Sequence, residues 1–129
     1  MKSKWRAAAR LLYALLAVLL VLCIGLQFYW AGMAVFTEAS YWSQHVMFIH
    51  IFGFNLPVLL LLAAIGAGHA RWAYWHVLLI LLLTFLMYFS ANMSASQSWV
   101  GALHPVLGTL LLAAAASNGY RAIKACCSS

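Results

Sequence analysis

Four stretches of almost unbroken apolar residues, separated by short polar breaks, set the pattern of this chain. They run from Leu11 to about Gly32, from about His45 to Ala67, from about His76 to Ser90, and from Trp99 to about Ala116. Each approaches the roughly 20 residues that a helix needs to cross the hydrocarbon core of a bilayer. The pattern predicts an all-α polytopic membrane protein, one domain over residues 1–129. Short connections make it an antiparallel four-transmembrane-helix bundle, with helices at about 10–32, 45–67, 75–91 and 100–117.

The punctuation agrees with those elements. Gly66-Ala67-Gly68 is a stop for the second helix and Asn118-Gly119 for the fourth. Pro57 falls inside the second run and predicts a kink, since its ring removes a backbone donor. Phe28, Tyr29 and Trp30, then Tyr41 and Trp42, then Trp72, Tyr74 and Trp75, and finally Trp99 stand at run ends. Amphipathic rings favour the headgroup level, so these residues mark the interfaces.

Composition makes lipid the solvent for most of this surface. The chain is 67% hydrophobic and 6% charged, where a soluble domain carries about 25% charged residues, and its mean hydropathy is +0.99. The net charge of +6 would suit nucleic acid, but its placement does not. Lys2, Lys4, Arg6, Arg10, Arg71, Arg121 and Lys124 all flank apolar runs. With four spans they fall on one side, and Glu38, the single acid, falls on the other. The positive-inside rule then gives N-in/C-in topology in a bacterial inner (cytoplasmic) membrane. The basic start could open a signal peptide, but its apolar run exceeds the usual h-region of about 7–15 residues, so an uncleaved first helix is expected. Cys23 stands alone, and the adjacent Cys126 and Cys127 do not suit an ordinary disulfide. They read as free thiols, with lipidation of the juxtamembrane pair as the alternative.

A weak internal repeat crosses the chain. Arg10-Leu11-Leu12-Tyr13 resembles Arg71-Trp72-Ala73-Tyr74, 61 positions on. Leu26-Gln27-Phe28-Tyr29-Trp30-Ala31-Gly32-Met33 resembles Leu86-Met87-Tyr88-Phe89-Ser90-Ala91-Asn92-Met93, 60 positions on. The pattern suggests a duplicated helical hairpin about an axis along the membrane normal.

Polar groups inside a membrane are expensive and are functional candidates by default. His45, His50 and His104 fall in the outer third of helices two and four, while His69 and His76 fall at the inner face. Helices two and four are diagonal in an up-down bundle, so two of the outer histidines can face one another across it. A b-type haem wants that arrangement, with one axial imidazole on each side. By rise per residue, His50 lies ~12 Å past Trp42 and His104 ~7.5 Å past Trp99. His50 and His104 are the expected ligands, and His45 competes with His50. Gly53, one turn from His50, and Gly101 and Gly108, flanking His104, would admit a flat macrocycle beside the ligands.

Other readings stand beside that one. Outer histidines can simply hydrogen-bond between helices, and Pro105 can place His104 at a helix start. Met33, Met47, Met87 and Met93 lie near the same face, and thioether with imidazole suits Cu(I). Gln27, Tyr88 and a histidine could line a quinone pocket. Catalytic residues are not expected: with one acid in the chain and no triad, phosphate loop or zinc motif, hydrolysis and group transfer are excluded, and redox or electron transfer is the remaining chemistry.

At His50-Ile51-Phe52-Gly53 and Ala102-Leu103-His104-Pro105-Val106-Leu107-Gly108 the chain resembles a family of small, uncharacterised four-helix bacterial integral membrane proteins. The family carries a Trp-proximal His with a nearby Gly in helix two and an Ala-Leu-His-Pro motif in helix four. The resemblance implies a fold and no activity. A looser likeness is to four-helix diheme membrane b-type cytochromes, which carry one histidine pair per membrane face. Here only the outer pair has candidates, so at most one haem is expected. Electron transfer would then need a redox partner or a larger membrane complex. The alternative is a non-catalytic membrane component or accessory subunit that holds no cofactor.

Overall fold

A computed structural model describes residues 2–128, with side chains from residue 4. Six α-helices make up the fold: α1 (Lys2–Phe36), α2 (Trp42–Phe52), α3 (Asn55–Ala67), α4 (Arg71–Met93), α5 (Ser98–Ala102) and α6 (His104–Cys127), with a 3-10 turn at Ala39–Tyr41. Among the described residues they form four stretches long and apolar enough to span a membrane: Lys4–Phe36, Ala39–Ala67, Arg71–Met93 and Ser98–Cys127. The protein is thus an all-helical, multi-pass membrane bundle. Each helix outruns its apolar core, because the basic and aromatic flanks are themselves good interfacial helix positions. The side chain of Lys2, part of the N-terminal basic cluster, lies outside the described residues.

The spans are arranged as a four-sided bundle. α1 packs on α2 and α3 along one side and on α6 along another, and α4 packs on α6 and more loosely on α3. The second and fourth spans lie diagonally, and their backbones do not come close to one another. The inward stripe of α1 is Ala9, Tyr13, Ala17, Leu20, Ile24 and Gln27, at helical spacing. Its outward residues Leu11, Leu15, Leu22 and Leu26 are exposed to lipid. The partner faces are built on small residues: Ala63, Ala64 and Ala67 on α3, Ala73 on α4, and Ala114, Ala115 and Ala122 on α6. Lipid chains are as apolar as leucine, so close backbone approach and packing, rather than burial from water, hold such helices together.

Two breaks divide the second and fourth spans, and proline accounts for each. Pro57 cannot donate to the carbonyl one turn back, and the helix opens at Gly53–Phe54. The Asn55 side chain closes part of the gap by donating to Ile51 O at 2.7 Å. Pro105 sits in the first turn of α6, directly after the break at Leu103, where its missing donor costs nothing. The stop after α3 is a left-handed Gly68 (φ 61°). Gly68 N donates to Ile65 O and His69 N to Ala64 O, both at 3.1 Å, a Schellman closure that a side chain at Gly68 would strain.

Candidate functional site

The far end of the bundle, opposite the chain termini, collects Gln27, His45, Met87, Ser90 and His104. The rings of His45 and His104 face each other with centroids 6.4 Å apart and planes inclined at 60°. His45 Nδ1 donates to Gln27 O at 3.1 Å, and Gln27 Nε2 donates back to His45 O at 2.8 Å. His104 Nδ1 donates to Met87 O at 3.1 Å. The Ser90 hydroxyl donates to the same carbonyl at 3.0 Å, and its oxygen lies 3.1 Å from His104 Nδ1. A carbonyl can only accept, so both imidazoles carry their proton on Nδ1 when neutral. Nε2 in each ring then keeps a lone pair, and among the described residues it meets no hydrogen-bond partner.

The two halves of this arrangement correspond in position. The repeat relates Gln27 to Met87, 60 positions apart, and their carbonyls hold His45 and His104, which are 59 apart. The basic end carries a second matched pair. Tyr13 and Tyr74, 61 apart, each send a hydroxyl to the neighbouring span: Tyr13 to Asn118 Oδ1 at 2.7 Å and Tyr74 to Ala64 O at 3.4 Å. Similar contacts therefore recur in the two halves of the bundle at both of its ends.

His50, expected opposite His104, stands elsewhere. It is exposed, and its Nδ1 lies 3.4 Å from the Tyr88 hydroxyl of α4. The reason is rotation. His45 shares a stripe with Phe48, Ile49, Phe52 and Leu56, which pack inward, whereas His50 is about 140° around the helix from His45. His45, the competing candidate, is the one that reaches His104.

The three glycines are closely covered. A Cβ on Gly53 would lie 2.7 Å from Ile49 O and 3.1 Å from the Tyr88 hydroxyl, and one on Gly101 would lie 2.8 Å from Ser94 Cβ. A Cβ on Gly108 would meet the ends of Met87 and Phe28, with Met87 Cε and Phe28 Cζ each 3.3 Å away. Tyr88 uses the room at Gly53 to donate to Ile49 O at 3.2 Å. Gly53→Ala is therefore expected to cost about 1–3 kcal/mol through overpacking. Gly25→Ala, with nothing within 4 Å of its Cβ, is expected to be neutral or to gain up to about 1 kcal/mol in helix propensity. Thermal unfolding of the two variants in detergent separates these outcomes.

The other candidate sets are dispersed. Gln27 belongs to His45 and Tyr88 to His50, so the residues considered for a quinone occupy two places. Met47 is 63% exposed, facing away from the histidine pair. Among the described residues no three His, Cys, Asp or Glu side chains gather as metal ligands. Two inner histidines have local roles: His76 donates from Nδ1 to Trp72 O at 2.8 Å and accepts from Ser117 at Nε2 at 3.1 Å, and His69 packs on Tyr13 and Trp72. Ser90 was not singled out by the sequence, since a lone buried serine carries no pattern.

A family model described as a family of unknown function, DUF6220, matches residues 27–95, just over half of the chain. The match includes Gln27, His45, His50, Met87 and Ser90. No curated protein and no solved structure matches.

Proposed function

The chain belongs to this family of unknown function, and on that premise we propose that it binds one b-type haem between its second and fourth spans. His45 and His104 would hold its iron, and the role is electron transfer or haem handling. The observation that carries the proposal is the pair itself: two imidazoles from diagonal spans, each anchored through Nδ1, each with Nε2 free. The two ring centres stand 6.4 Å apart, near enough for one group held between the spans to meet both imidazoles. Anchoring a ligand's second nitrogen on a carbonyl sets its tautomer and raises its basicity. A bound haem would supply one-electron chemistry. The protein's part is to hold the ligands and provide an apolar surround. The side of Gly108 now covered by the tip of Met87 and by Phe28, which is 40% exposed, suits a macrocycle edge, since both side chains can swing aside. On the charge pattern, the pair lies near the outer face of the cytoplasmic membrane.

The test is the visible spectrum of protein purified in detergent after haem-supplemented expression, oxidised and dithionite-reduced, beside His104→Ala. The expected result is a Soret band with sharp reduced α and β bands, lost in the variant. A colourless wild type would overturn the haem reading. One observation favours the competing structural role: each imidazole already joins two neighbouring spans through its Nδ1 bond. A colourless protein carrying stoichiometric copper would instead assign the pair to an ion.

A further inference from the structure

The basic end of the bundle holds a second feature, independent of the histidine pair. Two adjoining open cavities, of about 380 and 370 Å³, share Trp72, Ala125 and Ser128 as a common wall. Arg121 and Lys124 line the first, and Arg10 and His69 line the second. Arg121 lies over the Trp72 ring at 5.9 Å, which holds the guanidinium at the cavity mouth by a cation–π contact. The chain's single acidic side chain, Glu38, is at the opposite end, and among the described residues no carboxylate pairs with Arg121 or Lys124. His69 adds a polar atom with nothing to bond. Among the described residues its buried Nε2 has no hydrogen-bond partner, while its ring is held between Tyr13 at 4.6 Å and Trp72 at 5.5 Å.

From this geometry we propose that the cleft binds a phosphate group, presented by an acidic phospholipid headgroup or as free phosphate. Phosphate offers several strong acceptors to a guanidinium fork and an ammonium. Basic pockets between spans at the positively charged face take lipid headgroups on the same chemistry. Burial, and then the nearby charge of Arg10, hold the His69 imidazole below its ordinary pKa. An anion in the cleft offsets the second effect and gives the buried Nε2 an acceptor when it carries a proton.

The experiment uses the full chain in detergent with mixed phosphatidylglycerol and phosphatidylcholine, and native mass spectrometry counts the lipids retained. Wild type is expected to prefer phosphatidylglycerol by on the order of tenfold. Arg121→Gln/Lys124→Gln should lose that preference. Lys4→Gln, at a basic position that lines neither cavity, should keep it. Helix content by circular dichroism confirms that each variant is folded. Inorganic phosphate that displaces phosphatidylglycerol at millimolar concentration assigns the site to free phosphate, and failure to displace it assigns the site to lipid. No preference in wild type, a preference that survives the Arg121/Lys124 change, or equal loss in Lys4→Gln overturns the proposal. None of these readouts depends on haem.

Discussion

Replacing His45 by alanine is expected to abolish six-coordinate haem binding as completely as replacing His104, while His50→Ala leaves the bands in place. The three substitutions separate facing geometry from mere proximity to the membrane surface. His45 and His104 face each other at 6.4 Å, and each is oriented by a backbone carbonyl that no side-chain change removes. His50 points to Tyr88 on the flank of the bundle. With one imidazole removed, a single side chain would be left to hold the iron, so the sharp reduced bands are expected to disappear rather than weaken. Retention of the bands in His45→Ala together with their loss in His50→Ala would reinstate His50 as the ligand and refute the pairing. Circular dichroism of each variant distinguishes loss of a ligand from loss of the fold.

The second large effect is expected at the opposite end, where Tyr13 and Asn118 are both 0% exposed and joined by a 2.7 Å hydrogen bond. Asn118→Ala removes the acceptor and leaves a buried hydroxyl unpaired. That costs about 1–3 kcal/mol, the desolvation of a polar group that finds no partner. Tyr13→Phe leaves the Asn118 amide in the same state, and its Nδ2 already lacks a partner. Removing both polar groups in Tyr13→Phe/Asn118→Leu is expected to recover most of the loss, because the penalty lies in the orphaned partner rather than in the bond. Unfolding in mixed micelles reads all three variants. A double variant as unstable as the sum of the singles would show that the two residues act independently and that this account of the pair is wrong.

Much of the site was legible in the chain, though not in the combination that first suggests itself. The diagonal relation of spans two and four followed from four runs with short connections, and it placed outer histidines on opposite sides of one core. Two signals favour His45 over His50. The repeat offset of 60–61 carries position 45 to 105–106, next to His104, and carries position 50 well past it. Depth agrees, because His45 stands three residues past Trp42 and His104 five past Trp99, a mismatch of only ~3 Å. What hid this was the apolar character of the surroundings. In a helix that is hydrophobic on every face, lipid-facing and core-facing positions read alike. Phe48, Ile49 and Phe52 therefore gave no stripe by which to set the rotation.

The glycines illustrate the same limit. Gly53, Gly101 and Gly108 were expected to admit a macrocycle, and the groups that stand beside them are a tyrosine hydroxyl, a serine and a Met–Phe pair. A missing Cβ announces that something comes near without saying what.

By itself the sequence determined the class of solvent, the number of spans, the sites of the breaks and the clustering of cations at one end. These follow from run length, proline and glycine chemistry, and the cost of burying charge in hydrocarbon, all of which act locally along the chain. Only the tertiary structure decided which histidine meets His104, that Gln27 and Met87 serve as matching anchors, and that Arg121, Lys124 and His69 share one cleft. Those outcomes depend on helix rotation about axes that lie along the membrane normal. Rotation is set by the packing of small residues such as Ala17, Ala64 and Ala115, whose contacts join positions far apart in the chain.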